Sequence, residues 1–532
     1  MLQVSSQDTL SEKLLPRAKF AEYDAASPAP RNPCTENTRK EILNTLQVWA
    51  SDNATTKVYW LNGMAGTGKT TVAYSFSEIL KQKGSLSGTF FASHLRVDTS
   101  DARCIIPTIS LQLAKYLPSF GFLILDVAKN NPECSSWRIA NQFMNFMVTP
   151  LTVACRENRV VVTPVIVLDA LDECSDQSLV AELLDMILRH SKSLPVKFFI
   201  TSRPEIVVKE SFDYSWDHSN LILHEVGKEI VKGDIELYVK AYLVGKHNRP
   251  NWPSEAEVES LVNMSGTLFI YAATVCKYIA QRGSSSMPQC LSEVVNFTLE
   301  ATSGLTTQLD ALYERILNAA YTFANQKEKS NIQMVLMAIV YAYNPLSMTA
   351  ISALLKIPIE QIQAALSFLH SLIYIPSQDP DVPISIFHAS FFDFISNHSS
   401  SSKHYLDPCT SHKSLALQGL SLIDREWSSK KNMSYLAERR LEEISEHVGY
   451  ACCSWAFHFT EADHSNGSDA LNDFFGKHLL RWMDCLSILG KLQIAMDSLL
   501  KLKIWVSETC CCNRSVTEKV NVGTRLLENE SD

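Results

Sequence analysis

The chain has 532 residues, of which 46% are apolar and 20% charged, with a formal net charge of -9. That length suits about three or four domains, and the negative balance argues against a protein held to nucleic acid or an anionic membrane by bulk electrostatics. The first thirty residues hold no apolar signal core, and no stretch reaches the ~18 uninterrupted apolar residues of a membrane span. The 14 cysteines show no paired C-x-x-C spacing, so they read as core residues or free thiols.

Taken in order, residues 1–33 are polar and lack usable periodicity, and the Pro-containing run at 26–30 reads as a short linker. Ile42, Leu43, Leu46 and Trp49 then fall at helical spacing. The apolar run Val58–Leu61 predicts a strand and leads into Gly63-Met64-Ala65-Gly66-Thr67-Gly68-Lys69-Thr70, which fits the G-x-x-x-x-G-K-[ST] phosphate loop at every fixed position. Val72, Ala73, Phe76, Ile79 and Leu80 continue it as a helix.

The residue types explain the chemistry. Glycines let the loop aim successive backbone N–H groups at phosphate oxygens on the positive end of a helix. Lys69 supplies a cation for the outer phosphates, and Thr70 a hydroxyl for a magnesium ion, with Thr71 completing the nucleotide-binding set.

Further along, Gly88–Ala92 reads as a strand and Ile105–Leu117 as a helix. The unalternating run Val165–Leu168 is the pattern of a parallel strand buried on both faces, and it ends in Asp169, Asp172 and Glu173. Asp169 suits a magnesium ligand, and Glu173, with Asp172 as the alternate, suits the group that activates water. A solvated strand end is the plainer alternative for such acids. Val196–Arg203 is another buried strand, whose terminal Arg203 can meet a phosphate or else form a structural ion pair. Asn220–Val226 adds one more strand. Strands alternating with helices predict a doubly wound α/β domain.

Beyond it the periodicity becomes helical. A helix near Ile351–Leu355, a turn, a helix from Ile359 to about Leu372 and two short strands around Asp379-Pro380-Asp381 have the order of a winged helix. The expected division is a linker at 1–33, a P-loop domain at 34–227, a helical domain at 228–328, a winged-helix domain at 329–398, a helical domain at 399–508 and a disordered tail at 509–532. Cys510-Cys511-Cys512 falls in that tail.

GMAGTGKTT, VLDALDEC and ITSRPE together resemble the NACHT division of the STAND (signal-transduction) ATPases, most closely its fungal branch, whose members act as innate-immunity and cell-death switches. TRKEILNTLQVWA, GTLFIYAATV, LDALYERIL and IFHASFFDFI extend the resemblance over about residues 30 to 506. It implies a slow NTPase using ATP/ADP, or GTP, with Mg2+. It also implies a protein that engages protein partners or itself on activation, and a role for His388 in touching the diphosphate of a closed, inactive form, while the lack of a signal core and of a membrane span makes a cytoplasmic protein the expectation. Without the resemblance, His388 is a hydrogen-bonded structural residue. Gly266-Thr267-Leu268 lacks the proline that related switches place near the adenine, and the head and tail are too short for the effector and repeat modules of fungal relatives.

Other readings are a nucleotide-bound scaffold without turnover, a metabolic P-loop kinase and a winged-helix DNA binder. The kinase would need a substrate pocket and lid, which the helical C-terminal half does not resemble. DNA binding is disfavoured because residues 331–400 hold Lys356 as their one Lys or Arg against Glu360, Asp379, Asp381 and Asp393.

Overall fold

The computed structural model describes residues 15, 17–25, 30–157, 163–213, 218–223, 226–247, 252–283, 285–298, 305–322, 324–375, 379–428, 444–462, 468–508 and 514–530. Contacts divide the chain into two compact units, residues 1–312 with His388–Ser390, and residues 313–387 with 391–532. The cysteine run at 510–512 lies outside the described residues.

The first unit is built on a five-stranded, all-parallel sheet: β1 (Val58–Asn62), β2 (Leu86–Phe91), β3 (Val165–Asp169), β4 (Lys197–Ser202) and β5 (His218–Ile222), ordered β2-β3-β4-β1-β5. Helices cover both faces, which is why the central strands are apolar without alternation. Trp60, Ile166, Leu168, Phe198 and Ile200 enter one core, and Tyr59, Leu61, Val165, Val167 and Phe199 enter the other. Every predicted strand of this domain is present, with ends shifted by at most four residues. β5, at one edge, is only half-buried.

Helix α1 (Lys40–Ser51) precedes β1, and α2 (Lys69–Gln82) follows the glycine loop. Lys197, fully buried at the start of β4, closes the end of α1: its Nζ donates to the Trp49 carbonyl, to the Asp52 carbonyl at 2.6 Å and to Thr55 Oγ1 at 2.8 Å. A cation is favoured at a helix C-terminus, where carbonyls lack intrahelical partners.

The segment expected to be a linker instead packs against the sheet. Leu15, Ala18 and Ala21 join one core and Tyr23 the other. Three small or single apolar residues are too few to show a period, and their partner, the β2 edge, is distant in sequence. After β5 the unit becomes helical, with α3 (Lys228–His247), α4 (Glu255–Ser265) and α5 (Phe269–Ala280). Ser254 and Glu257 form a capping box at the start of α4.

In the second unit, helices α6 (Gln326–Tyr341), α7 (Met348–Leu355) and α8 (Ile359–Leu366) precede the antiparallel pair β6 (Ile373–Tyr374) and β7 (Ser385–Ile386). α8 stops six residues short of the predicted end, as three-residue turns take over from Ala364 to Leu372. Helices α9 (Pro408–Ser428), α10 (Glu446–Glu461), α11 (Leu479–Ile488) and α12 (Leu492–Glu508) follow, with Trp455 and Trp482 stacked edge to face at 5.4 Å in their core.

The tail expected to be disordered carries helix α13 (Arg514–Glu530). Its Val516 and Val520 are buried, and Gly523 comes so near Leu499 that a Cβ there would stand 3.1 Å from Leu499 Cδ1. The apolar stripe Val516, Val520 is real but short, and the polar composition around it hides the period.

A partly buried polar chain joins α9 to α10. Tyr343 N donates to Tyr450 Oη, Tyr450 faces His458 Nε2 at 3.0 Å, and His458 Nδ1 faces His412 Nδ1 at 2.9 Å. Two imidazole nitrogens this close share one hydrogen, so the ring that accepts it is neutral. Burial pushes His412 down to about 4 and His458 well below its ordinary value. Because the folded values are depressed, this stabilisation is complete above the unfolded value near 6.5 and is lost as pH falls towards 4. The thermal midpoint is expected to fall across that window, and less steeply in His412→Gln, which keeps an acceptor for His458. Equal slopes in a melting series would remove the pair from the account.

Candidate functional site

The site gathers at the C-terminal ends of the strands, where parallel α/β sheets bind ligands. The loop between β1 and α2 needs its glycines for backbone reasons. Gly66 and Gly68 have φ of +77° and +92°, and a Cβ on Gly66 would lie 2.1 Å from Ile270 Cγ2. Ile270 N donates to the Gly66 carbonyl at 3.1 Å, so α5 braces the loop from outside. Lys69 Nζ donates to the carbonyls of Gly63 at 2.7 Å and Met64 at 3.2 Å. Burial lowers its affinity for the proton, against the pull of Asp172, Asp169 and Glu173.

β4 lies between β1 and β3, so the loop and the acids are second neighbours with Arg203 between them. Asp169 is 1% exposed and accepts from Thr201 Oγ1 at 2.6 Å. Burial pushes it up to about 6, while the hydroxyls of Thr201 and Thr70 and the charge of Arg31 oppose that shift. Ala170 then takes a left-handed conformation, φ 57°, which is uncommon for a residue with a Cβ. It turns the chain into a single tight turn, Leu171–Glu173, with Glu173 N bonded to the Ala170 carbonyl at 2.8 Å. This strained turn is what sets Asp172 and Glu173 side by side beyond Asp169.

The two acids have different partners. Asp172 takes Arg203 with both oxygens, Nε at 3.0 Å and the backbone N–H at 2.9 Å. The structure thus places Arg203 in the ion pair that the sequence left as the alternative to a phosphate contact. Glu173 Oε2 faces His94 Nδ1 at 3.0 Å and accepts from His94 N at 3.3 Å. Burial raises the Glu173 carboxyl, but His94 and, less strongly, His388 outweigh it, and the net shift is downward. His388 groups with this unit. Its Nδ1 accepts from Ser390 N at 3.0 Å, which leaves Nε2 to carry the proton, and burial pushes the ring down to about 4.

Three residues around the site carry no signal in the sequence patterns above. His94 lies three residues beyond the end of β2, and its position past a strand neighbouring the acids is the available signal. Arg31 lies in the segment read as a linker. Arg39 precedes α1 in a left-handed conformation and donates through Nη2 to the Thr67 carbonyl at 2.7 Å. Its guanidinium lies over Phe269 at 4.6 Å, and its buried Nη1 has no hydrogen-bond partner among the described residues.

These features fit a bound nucleotide with a divalent cation. Arg39 Nη1 is a buried donor beside the glycine loop, and Thr70 with Asp169 offers the hard oxygen donors that Mg2+ takes.

Residues 37–203 match the family model described as nephrocystin 3, N-terminal. No curated protein matches the chain. Among solved structures, the chain is similar to a STAND (Signal Transduction ATPase with Numerous Domains) protein with a tetratricopeptide repeat sensor from Pyrococcus horikoshii, at 12% identity and a TM-score of 0.38, over 94% of this chain and 72% of that one. It is also similar to Cdc6p from Pyrobaculum aerophilum, at 13% identity and a TM-score of 0.31, over 72% and 96%. A third likeness is to Drosophila ORC bound to DNA, at 11% identity and a TM-score of 0.29, over 66% and 92%. On its own sheet order, glycine loop and acid cluster, the first unit is an α/β domain of the P-loop NTPase type, followed in the chain by a helical region.

Proposed function

We propose that this chain is a nucleotide-controlled regulatory NTPase of the NACHT type, related to the fungal immune and cell-death switches. It rests with ADP bound, exchanges it for ATP and resets by slow hydrolysis. The observation that carries the reading is the convergence of Lys69, Asp169, Asp172, Glu173, Arg203 and His388 around one glycine loop. The elements from Gln326 to Ile386, helices followed by a two-stranded ribbon, support a winged-helix reading of residues 329–398.

In this reading the loop N–H groups and Lys69 bind the phosphates, and Arg39 holds the loop through the Thr67 carbonyl. Thr70 and Asp169 would hold Mg2+, which supplies charge neutralisation at the outer phosphates. Glu173, kept ionised by its partners, accepts the proton of the attacking water. Asp172 holds Arg203 in place between the loop and the acids. His388 presents an Nε2–H donor, and the chain before His388 and after Ser390 belongs to the second unit. A diphosphate bonded there would bias that segment, because a ligand shifts a conformational equilibrium only by its differential affinity for the two states.

Denaturing the purified protein and identifying the released nucleotide tests the whole reading. ADP is expected. His388→Ala is expected to release ADP at least ~10-fold faster, the worth of one charge-assisted hydrogen bond. Protein that carries no nucleotide and takes up none of a fluorescent ADP analogue would end the proposal. Retained ADP with no turnover would mark a scaffold instead.

A further inference from the structure

The N-terminal segment lies across the β2 edge of the sheet. Ala18 N donates to Thr108 Oγ1 and Tyr23 N to Thr89 Oγ1, both at 3.0 Å. Tyr23 packs edge to face on Tyr74 at 5.5 Å, and Cys34 N donates to Ser75 Oγ at 2.7 Å, so the same segment reaches α2. The strand backbone beneath is also satisfied by a side chain: Thr89 exchanges two hydrogen bonds with the Gln112 amide, at 2.9 and 2.8 Å. An exposed β edge is thereby closed, as native sheets require. Residues 17–25 and 30–34 thus form a strap rather than a spacer.

Arg31 brings a cation of the strap towards the acid cluster. Its guanidinium lies 4.8 Å over the Phe91 ring and donates to the carbonyls of Glu22 at 2.8 Å and Phe20 at 3.3 Å. Phe91 is the register partner of Asp169 across the β2–β3 pair, and Ala92 N donates to the Asp169 carbonyl at 2.9 Å. Phe91 and Val167 enter the same core, so Asp169, two residues after Val167 on an alternating strand, points to the face on which Arg31 stacks. The charges agree with this placement, since Asp169 and Glu173 are the carboxylates that favour the Arg31 cation against its burial.

We propose that Arg31 is a positioning residue that couples the order of the N-terminal strap to occupancy of the acid cluster by a divalent cation. The inference rests on the reading of Asp169 as a magnesium ligand. With the acids bare, the guanidinium is attracted to them and the strap is held to the sheet edge. A divalent cation on Asp169 neutralises that attraction and opposes Arg31 with like charge in a partly desolvated place, where such interactions are strong. The strap then loosens. Anything joined to this end of the chain would feel the nucleotide state through it.

Amide hydrogen exchange of the full chain tests this at Ala18 and Tyr23, whose N–H groups are held by Thr108 and Thr89. Binding of a fluorescent ATP analogue is measured in the same samples. Wild-type protein is expected to exchange these amides at least ~3-fold faster with Mg2+ and nucleotide than without. Arg31→Met, which keeps a contact on Phe91 without the charge, is expected to exchange fast in both conditions. Nucleotide binding with unchanged wild-type strap exchange would overturn the inference alone, as would an equal response in Arg31→Met. Absence of nucleotide binding would overturn the inference together with the proposed function.

Discussion

Lys69→Ala is expected to lower nucleotide affinity by at least ~100-fold, about 2.8 kcal/mol, the scale of charge-assisted bonds to phosphate in a partly desolvated place. Lys69 is 9% exposed and its Nζ sits over the loop, on the carbonyls of Gly63 and Met64. From that position a modest swing of the side chain reaches an outer phosphate while the loop backbone holds the inner ones. Removing the cation also leaves Asp172, Asp169 and Glu173 with less opposing charge. Phosphate binding is thus weakened twice, by lost attraction and by increased repulsion. Titration with a fluorescent ADP analogue reads the loss, with circular dichroism to confirm folding. Wild-type affinity in the variant would refute the assignment of this loop as the phosphate site.

Glu173→Gln is expected to bind nucleotide within about threefold of wild type and to lose ~10²–10⁴ in turnover, the usual worth of a general base. The change is isosteric and keeps an acceptor for His94 N, which bonds Glu173 Oε2 at 3.3 Å. Asp172→Asn makes the informative contrast. Asp172 is engaged by Arg203 through two bonds, so that variant perturbs the arginine rather than removing a base. Measured single-turnover rates that are normal in Glu173→Gln and abolished in Asp172→Asn would transfer the proton-accepting role to Asp172.

Much of the first unit was legible because its signals are local. A parallel strand covered on both faces writes a continuous apolar run, and β1, β3 and β4 were found on that ground alone. The loop declares itself through glycines whose positive φ and close approach to Ile270 permit nothing larger. What the sequence hid depends on contacts between distant residues. Arg31 and Arg39 flank a stretch with no period, and their meaning comes from Phe91, Thr67 and Phe269, each far along the chain. His94 carries no pattern of its own, and only the pairing of β2 with β3 sets it against Glu173. The choice between a phosphate contact and an ion pair for Arg203 was likewise undecidable from spacing, since both need the same residue at the same strand end. The helix at 514–530 shows the opposite failure, in which composition outweighed a short but valid stripe.

β4 has a cation bonded at each end. Lys197 fastens its start to the end of α1, and Arg203, just past its last residue, is fastened to Asp172. Flanked by β1 and β3 along its length, it is the strand with the fewest ways to open locally. Its amides should be among the slowest to exchange in the molecule, and the middle of the sheet is then the stator of any switch. Movement has to be supplied by parts attached around it, such as the strap on the β2 edge and helix α5 against the glycine loop. In such a machine the acids at the strand ends stay still, and any movement that follows nucleotide binding falls to the periphery.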